Sequence, residues 1–375
     1  MTLPTPRPDL GALERYHSPQ LEVAVRLNTN ESPYPPAPAF VDAWLDVLRG
    51  IALNRYPDRE ARALRAALAE RLGQPTARVF CANGSNEVLQ TLLLAYGGPG
   101  RRALVFEPTY ALHAHISRIT GTAVVEGSRT EDFTVSATEA GMLVASERPA
   151  VVFLCSPNNP TGTVEPRATV EALLGAVGEH GPGLLVVDEA YGEFAGWSAQ
   201  ALVGDDVPLV VVRTYSKVWS MAALRLGFAV APSAVVEQLE RVVLPYHLAA
   251  PTQLAGVEAL IFDAEMKARV EALVAERHRL VGALQRLPGL TVYPSGANFV
   301  LVRAESGGRA LWQRLVDRGV LVRDFSHVPT VIRRQSSSRG TCEKSRTSTP
   351  RSTRRCQSAR PPLSARTRTK FAPDG

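Results

Sequence analysis

Residues 208–231, PLVVVRTYSKVWSMAALRLGFAVA, decide the fold. Two apolar runs, 209–212 and 227–230, flank a segment that contains Lys217 and Arg225. Apolar runs without polar alternation are typical of strands that are buried on both faces of a sheet. The stretch therefore predicts two buried strands, with a polar segment at the end of the first.

Similar runs recur upstream and are separated by segments with helical periodicity. They cover residues 79–82, 103–106, 122–125, 151–154 and 184–187. Short buried strands that alternate with helices predict an α/β fold with a mainly parallel sheet covered by helices on both faces.

The remaining pattern predicts further helices and a smaller group of strands. A helix is expected to begin at Gly84-Ser85-Asn86 and to bury Val88, Leu89, Leu92 and Leu93. We also expect helices over 61–72 and 311–318, a long helix over 257–287 with room for one break, a hairpin-type pair over 291–303 and a strand over 320–323.

The segments that follow five of the apolar runs carry polar and aromatic groups suited to one ligand. In open parallel sheets, ligands bind outside the carboxyl ends of the strands. The five segments are Asn83-Gly84-Ser85-Asn86, Glu107-Pro108-Thr109-Tyr110, residues 156–162 (SPNNPTG), Asp188-Glu189-Ala190-Tyr191 and Thr214-Tyr215-Ser216-Lys217. We expect them to meet at one edge of the sheet.

Each main group has a simpler interpretation when it is taken alone. Gly84-Ser85-Asn86 at a helix start can bind a phosphate, but Ser85 can equally be a simple helix cap. Asp188 ends an apolar strand and needs a cationic partner, which can be a structural arginine. Lys217 alone is typical of a solvated loop.

Taken together, these groups predict a pyridoxal phosphate site. Such sites combine a lysine that forms a Schiff base with an acidic partner for the pyridine nitrogen. Lys217 and Asp188 supply both at strand ends, and Tyr110 can stack on the ring. Arg225, eight residues after Lys217, can reach the same phosphate as the helix start.

Longer motifs resemble a known family. SPNNPTG (156–162), DEAYGEF (188–194) and TYSKVWSMAALRLG (214–227) resemble the fold-type I aminotransferases. LNTNESPYPP (27–36), NRYPD (54–58), GSNE (84–87), DEAYGEFAG (188–196) and ANFVLVR (297–303) resemble the histidinol-phosphate aminotransferase branch. The resemblance covers about residues 20–329 and implies a large domain with the sheet and a smaller α+β domain.

The resemblance also implies a role for each matching residue. Lys217 forms the Schiff base and later moves the proton, and Asp188 pairs with the pyridinium nitrogen. Asn159 and Tyr191 bond the ring 3-hydroxyl, and Tyr110 stacks on the ring. Contacts to the cofactor phosphate are implied for Ser85, Asn86, Thr214, Ser216 and Arg225.

Three further residues are implied to act at the edges of this site. Tyr56 would reach the phosphate of the partner subunit's cofactor, which makes a homodimer part of the site. Asn30 and Arg323 are candidate substrate contacts, with Arg323 near the anionic end; a surface strand arginine is the alternative for Arg323.

The implied reaction is transamination from histidinol phosphate to 2-oxoglutarate, a step of histidine biosynthesis that forms imidazole-acetol phosphate and glutamate. An aromatic amino acid aminotransferase and a pyridoxal-phosphate-dependent threonine-phosphate decarboxylase remain alternatives within the fold. A non-enzymatic binder that acts through a basic tail is a third class.

The chain divides into four predicted parts. Residues 1–48 are an N-terminal arm with part of the small domain, 49–245 the large cofactor-binding domain, and 246–329 a truncated small domain. Residues 330–375 form a basic low-complexity tail with 12 Lys and Arg against 2 Asp and Glu, which leaves 30 against 34 in the rest. Because the basic charge is confined to the tail, the composition argues against a nucleic-acid-binding protein.

Composition also bounds the compartment. No apolar run approaches the roughly 20 residues of a membrane span, and the start lacks a signal-peptide pattern. The four cysteines form no CxxC pair, so we expect neither a disulfide framework nor a zinc site. His113 and His115 would face different ways on a helix, which disfavours a metal site. A cytoplasmic enzyme without a metal is the expectation.

The tail breaks the pattern of the family. The branch continues past residues 324–329 into a short strand with an arginine that docks the substrate carboxylate, and then a final helix; nothing in 330–375 matches them. Ser, Thr, Arg and Pro dominate instead, without a periodic apolar face, so the tail is expected to be disordered and the activity low.

We predict that residues 330–375 arise from a reading-frame shift just after the codon of Pro329. The expected result is that another frame of the gene encodes a strand with an arginine and then an amphipathic helix. Sequencing the gene around this codon makes the measurement. Stop codons or unrelated sequence in both other frames would instead indicate a natural basic extension.

Overall fold

The computed structural model describes residues 3–7, 10, 11, 13 and 19–326. The strands are β1 (Val25–Arg26), β2 (Val79–Ala82), β3 (Arg102–Glu107), β4 (Ala123–Ser128), β5 (Val151–Cys155), β6 (Leu184–Asp188), β7 (Leu209–Thr214), β8 (Gly227–Val230), β9 (Leu290–Val292), β10 (Val302–Ala304) and β11 (Val320–Leu321). The helices are α1 (Pro38–Arg49), α2 (Arg62–Leu72), α3 (Ser85–Tyr96), α4 (Leu112–Ile119), α5 (Ala137–Glu147), α6 (Arg167–His180), α7 (Ser233–Val242), α8 (Ala250–Ile261), α9 (Asp263–Gln285) and α10 (Gly308–Val316).

Seven strands form the central sheet in the order β2-β8-β7-β6-β5-β3-β4. The neighbours from β7 to β4 pair in parallel, whereas β8 is antiparallel to both β2 and β7. The mainly parallel sheet is thus confirmed. Neither the strand order nor the reversal of β8 was predicted, because an apolar run carries no information about its neighbours.

Helices cover both faces of the sheet. In β5, Val152 and Leu154 belong to one buried cluster, and Val151 and Phe153 to the other. A strand with both faces buried has no position for a polar side chain, which explains the unbroken apolar runs. The predicted buried positions of α3 are confirmed, since Val88, Leu89, Leu92 and Leu93 are fully buried.

Most predicted boundaries agree with the structure to within a few residues. The long helix predicted over 257–287 is two helices, α8 and α9, which meet at Phe262. The strand predicted over 122–125 begins at Ala123 and extends to Ser128, and it is a partly exposed edge strand rather than a buried one, because it has a neighbour on one side only. The predicted strand over 320–323 covers only Val320–Leu321.

Two small sheets flank this core. Strands β9 and β10 pair antiparallel, which confirms the hairpin-type pair. Strand β11 pairs in parallel with β1, so Val320 lies opposite Val25. This pairing fixes the chain that leads from β1 into residues 28–32, which we call the strap.

The tail predicted for residues 330–375 lies outside the described residues. Within the described part of the chain, no helix is both long and apolar enough to cross a membrane. The same part contains no cluster of three or more His, Cys, Asp or Glu side chains that could hold a metal ion.

Candidate active site

Three predicted segments lie side by side at the carboxyl edge of the sheet. The strand register aligns Cys155 with Asp188, and Asp188 with Val212. SPNNPTG, DEAY and TYSK therefore leave neighbouring strands at the same level, as the sequence predicted for strands in parallel.

The amino terminus of α3 packs against the loop that carries Arg225. Gly84 has a φ of +78°, and a Cβ there would lie 2.5 Å from Arg225 Nη2. A Cβ on Gly227 would lie 2.3 Å from the backbone nitrogen of Ser85. Both glycines are required because any side chain would push the helix start away from the guanidinium.

Hydroxyl groups complete this cradle. Arg225 Nη1 donates to Ser216 Oγ at 3.2 Å, and Thr214 Oγ1 lies 3.0 Å from the same atom. Backbone N–H groups at a helix start, two hydroxyls and one guanidinium are the donors that a phosphate monoester requires. The structure thus brings together Ser85, Thr214, Ser216 and Arg225 as predicted.

Asp188 is buried at the end of β6. Its Oδ2 lies 2.9 Å from Nε2 of His113, and its Oδ1 accepts a hydrogen bond of 3.0 Å from the backbone N–H of Ala190. The partner of Asp188 is thus His113 and not a structural arginine, which was the simpler alternative. A buried carboxylate held on two sides keeps a fixed direction toward a ligand nitrogen.

His113 is the functional residue that sequence reasoning missed. It lies in α4, fully buried, and its ring stacks on Phe153 at a centroid distance of 4.9 Å. In the sequence, the HxH pair of His113 and His115 indicates only a possible metal motif. The spacing of three residues from Tyr110 is the available signal, because it places both on one face of a helical turn.

Lys217 extends from the loop after β7 toward the strap. Its Nζ donates to the carbonyl oxygen of Thr29 at 3.0 Å and lies 5.7 Å from the ring centre of Tyr191. Burial lowers the pKa of Lys217 to about 8; Glu31 opposes this shift, and Arg225 adds to it. The neutral, nucleophilic amine is therefore accessible near neutral pH.

Tyr191 is buried beside the strap. Its hydroxyl accepts a hydrogen bond of 3.0 Å from Nδ2 of Asn30, and Phe299 packs edge-on against its ring. Burial raises the pKa of the Tyr191 phenol, and the Asn30 bond partly offsets this shift. The phenol thus stays protonated and can donate to an oxygen of a ligand.

Other predicted residues line the same edge. The hydroxyl of Tyr110 donates to Oδ1 of Asn86 at 3.2 Å, and the Tyr110 ring meets that of His113 edge-on. Asn158 is fully buried and accepts a 2.9 Å bond from Thr109, which fixes the loop. Its neighbour Asn159 is half-buried.

Tyr56 and Arg323 are the remaining predicted residues. Tyr56 is 80% exposed and stacks on Tyr246 at 4.6 Å. Arg323 is half-buried and follows β11, whose Leu321 carbonyl accepts a hydrogen bond from Leu27 near the strap.

Buried ion pairs hold the walls of the site. Arg213 on β7 binds Glu189 at 2.7 Å and Glu193 at 3.2 Å, which ties the DEAYGEF segment to the next strand. Arg129 pairs with Glu165, and both side chains are fully enclosed. Separation of such an enclosed pair would leave a buried charge without a partner, which is strongly destabilising. The loops that carry these side chains are therefore held in one arrangement.

These features fit pyridoxal phosphate on structural grounds alone. The glycine cradle matches a phosphate, the buried Asp188 matches a ring nitrogen, and the Lys217 amine matches an aldehyde. No other described strand end offers this combination.

Comparisons with known proteins agree with this geometry. The family model described as aminotransferase class I and II matches residues 22–348, so the match continues past residue 329, where the sequence analysis ended the resemblance. A histidinol-phosphate aminotransferase of Frankia casuarinae is 50% identical over 329 residues, which cover 85% of this chain and 83% of that protein. Its counterpart in Thermobifida fusca is 48% identical over 325 residues, which cover 85% and 87%.

A solved structure gives the same fold. The histidinol-phosphate aminotransferase from Sinorhizobium meliloti, in complex with pyridoxal-5'-phosphate, matches with a TM-score of 0.76 at 24% identity. The match covers 84% of this chain and 88% of that chain.

We predict that the protein captures pyridoxal phosphate with a pH midpoint near the lowered pKa of Lys217, about 8. Because the pKa lies below its ordinary value, the neutral amine gains population as pH rises through that point, about two and a half pH units below the point for a free lysine. Stopped-flow absorbance after mixing with the cofactor measures the rate.

The chain has four lysines, which offers a matched control. Lys267 is exposed and pairs with Asp263. Lys267→Ala should leave the rate and midpoint unchanged, and Lys217→Ala should abolish the visible band. A midpoint near 10, or a band that survives in Lys217→Ala, would contradict the assignment.

Proposed function

The chain belongs to the class I and II aminotransferase family, and we propose that it moves the amino group of histidinol phosphate to 2-oxoglutarate. Its similarity to histidinol-phosphate aminotransferases at 48–50% identity identifies it as a pyridoxal-phosphate-dependent transaminase of histidine biosynthesis. The observation that carries the proposal is the convergence of Lys217, buried Asp188 and the Arg225 cradle at one sheet edge.

Each residue then has one task. Pyridoxal phosphate, when bound, supplies the electron sink for amino-group transfer. Asp188, oriented by His113, holds a proton on the ring nitrogen, because an opposite charge favours the protonated form. Asn159 and Tyr191 would bind the ring 3-hydroxyl, and Tyr110 would stack on the ring.

Lys217 also acts as the base. With the cofactor and an amine substrate bound, its Nζ would take a proton from the substrate Cα and return it. The lowered pKa suits this task, since a base works best when its pKa lies near the working pH. The cofactor phosphate would stay bound during this proton transfer through Ser85, Asn86, Thr214, Ser216 and Arg225.

Substrate recognition falls to Asn30 and Arg323 in this proposal. Asn30 lies in the strap beside Lys217, and Arg323 follows the strand that pairs with β1. A guanidinium is suited to the phosphate of histidinol phosphate. The aromatic aminotransferase and the threonine-phosphate decarboxylase share the cofactor residues, so only the donor and the products separate them.

We predict that histidinol phosphate is the best donor. With 2-oxoglutarate as acceptor, kcat/KM should exceed that for phenylalanine or tyrosine by tenfold or more, about 1.4 kcal/mol. Glutamate formation measures transfer, and carbon dioxide release from threonine phosphate measures decarboxylation. Faster turnover of the aromatic donors, or carbon dioxide release, would assign the protein to an alternative instead; Lys217→Ala is the inactive control.

We also propose a homodimer in which Tyr56 reaches the partner's cofactor phosphate. The surface near Tyr56 exposes large apolar side chains: Leu53 is 87% exposed, Tyr56 80% and Leu244 76%. Such a group of exposed apolar side chains is typical of an interface. Leu53, Tyr56 and Tyr246 border a cavity of about 410 Å³. A second copy of the chain would cover this surface.

The dimer predicts complementation between two weak variants. Tyr56→Ala and Lys217→Ala should each be poorly active, but their hybrid restores one native site. An equal mixture of co-expressed chains should recover about a quarter of the native activity, since half of the dimers are hybrids with one good site. Sedimentation should give twice 40.5 kDa; a monomer, or no recovery, would contradict the proposal.

A cytoplasmic location is part of the same proposal. Cys81 and Cys155 are buried free thiols, and burial raises the pKa of Cys81 to about 12. Unpaired buried cysteines fit a reducing compartment.

A further inference from the structure

Asn298 links the small hairpin region to the strap. It lies in the β9–β10 connection, in the ANFVLVR motif, and its Nδ2 donates to the backbone carbonyl of Asn30 at 3.2 Å. Asn30 in turn donates from its own side chain to the hydroxyl of Tyr191 at 3.0 Å. A chain of two hydrogen bonds therefore runs from Asn298 to the phenol beside Lys217.

The loop that carries Asn298 is held from two sides. Arg277 of α9 donates to the carbonyl of Ala297 at 2.9 Å, and the N–H of Gly296 donates to the carbonyl of Gly162 at 2.7 Å. A Cβ on Gly162 would lie 2.3 Å from Ser295 Oγ, so the contact is close. A donor on a fixed loop can position a partner without an added cost of ordering itself.

The Asn298 amide has one hydrogen bond among the described contacts. Its Oδ1 is enclosed and accepts no hydrogen bond in that part of the chain. An enclosed acceptor without a partner costs free energy, so packing alone favours an apolar residue here. The hydrogen bond to the Asn30 carbonyl is what an asparagine at position 298 provides and an apolar residue does not.

The strap depends on such anchors. Lys217 Nζ holds the Thr29 carbonyl at 3.0 Å, and Ser220 Oγ lies 3.0 Å from Ser32 Oγ. When the Lys217 amine is used for chemistry, its bond to Thr29 is lost. Asn30 also has a φ of +53°, a conformation that needs support from its surroundings.

We propose that Asn298 is a positioning residue that acts through Asn30 on the hydroxyl of Tyr191. Asn298 keeps the strap in place when the hydrogen bond from Lys217 to the Thr29 carbonyl is lost. The Asn30 amide therefore remains bonded to the Tyr191 hydroxyl. A phenol that accepts such a bond is a better donor to the cofactor oxygen, because hydrogen bonds in a chain polarise one another. The role for Tyr191 at the cofactor rests on the proposed function.

The first test needs no catalysis. Asn298→Leu is close in size and neutral, and it has no donor; Gln285→Leu, an exposed amide at the end of α9, is the matched control. Hydrogen–deuterium exchange of the strap should speed up about tenfold in Asn298→Leu and stay native in Gln285→Leu. Unchanged exchange in Asn298→Leu would overturn the anchor; Asn298→Ala serves if the leucine does not fold.

The second test uses the holoenzyme and separates positioning from substrate contact. Asn298→Leu should lower kcat about tenfold, or 1.4 kcal/mol, for every donor alike, and shift the visible band in the same direction as Tyr191→Phe. A change confined to the KM of one donor would overturn positioning in favour of a substrate contact.

Coupling between Asn298 and Asn30 gives the decisive result. Asn30→Gly keeps the backbone conformation and the carbonyl but removes the amide that meets Tyr191. In that background Asn298→Leu should have no further effect on kcat. An undiminished effect would overturn the route through Asn30, whereas carbon dioxide release or faster turnover of aromatic donors by the native chain would instead refute the proposed function and leave the exchange test valid.

Discussion

The register between β5, β6 and β7 is the constraint on which the site depends. It sets the ends of three buried strands at one level, so Asp188 stands between the SPNNPTG loop and the TYSK loop. A slip of one residue would turn every side chain of the strand to the opposite face and move the carboxylate from the ligand edge into a helix interface. Packing against both faces makes such a slip too costly.

From this edge, electrostatics divide the site into complementary parts. Asp188 is buried and keeps its direction through His113 and the Ala190 N–H. Across the edge, Arg225 stands against the start of α3, where glycine permits an approach that a Cβ would block. The carboxylate of Asp188 and the guanidinium of Arg225 thus have different partners, and the Lys217 amine lies between the strap and Tyr191.

The strap and the Asn298 loop close the site from outside the central sheet. The acceptors in these contacts are the backbone carbonyls of Thr29 and Asn30, which are present whatever the side chains are. The donors are the side chains of Lys217 and Asn298, which depend on the residue type. Such an arrangement couples the region of β9 and β10 to the chemistry at the sheet edge, since a shift of the loop changes the support of Tyr191. Anchors of different chemical type also let one bond break while the others persist.

The sequence by itself determined the strands of the central sheet, about half of the helices and the five strand-end segments, because burial on both faces and turn chemistry act through residues that are near in the chain. It also identified Lys217, Asp188, Tyr191 and Arg225, which the fold brings to one edge. Only the tertiary structure decided the reversal of β8, the pairing of His113 with Asp188 and the bonds of Asn30 and Asn298. These contacts join residues 75, 161 and 268 positions apart, and their partners are chosen by packing that no local pattern records.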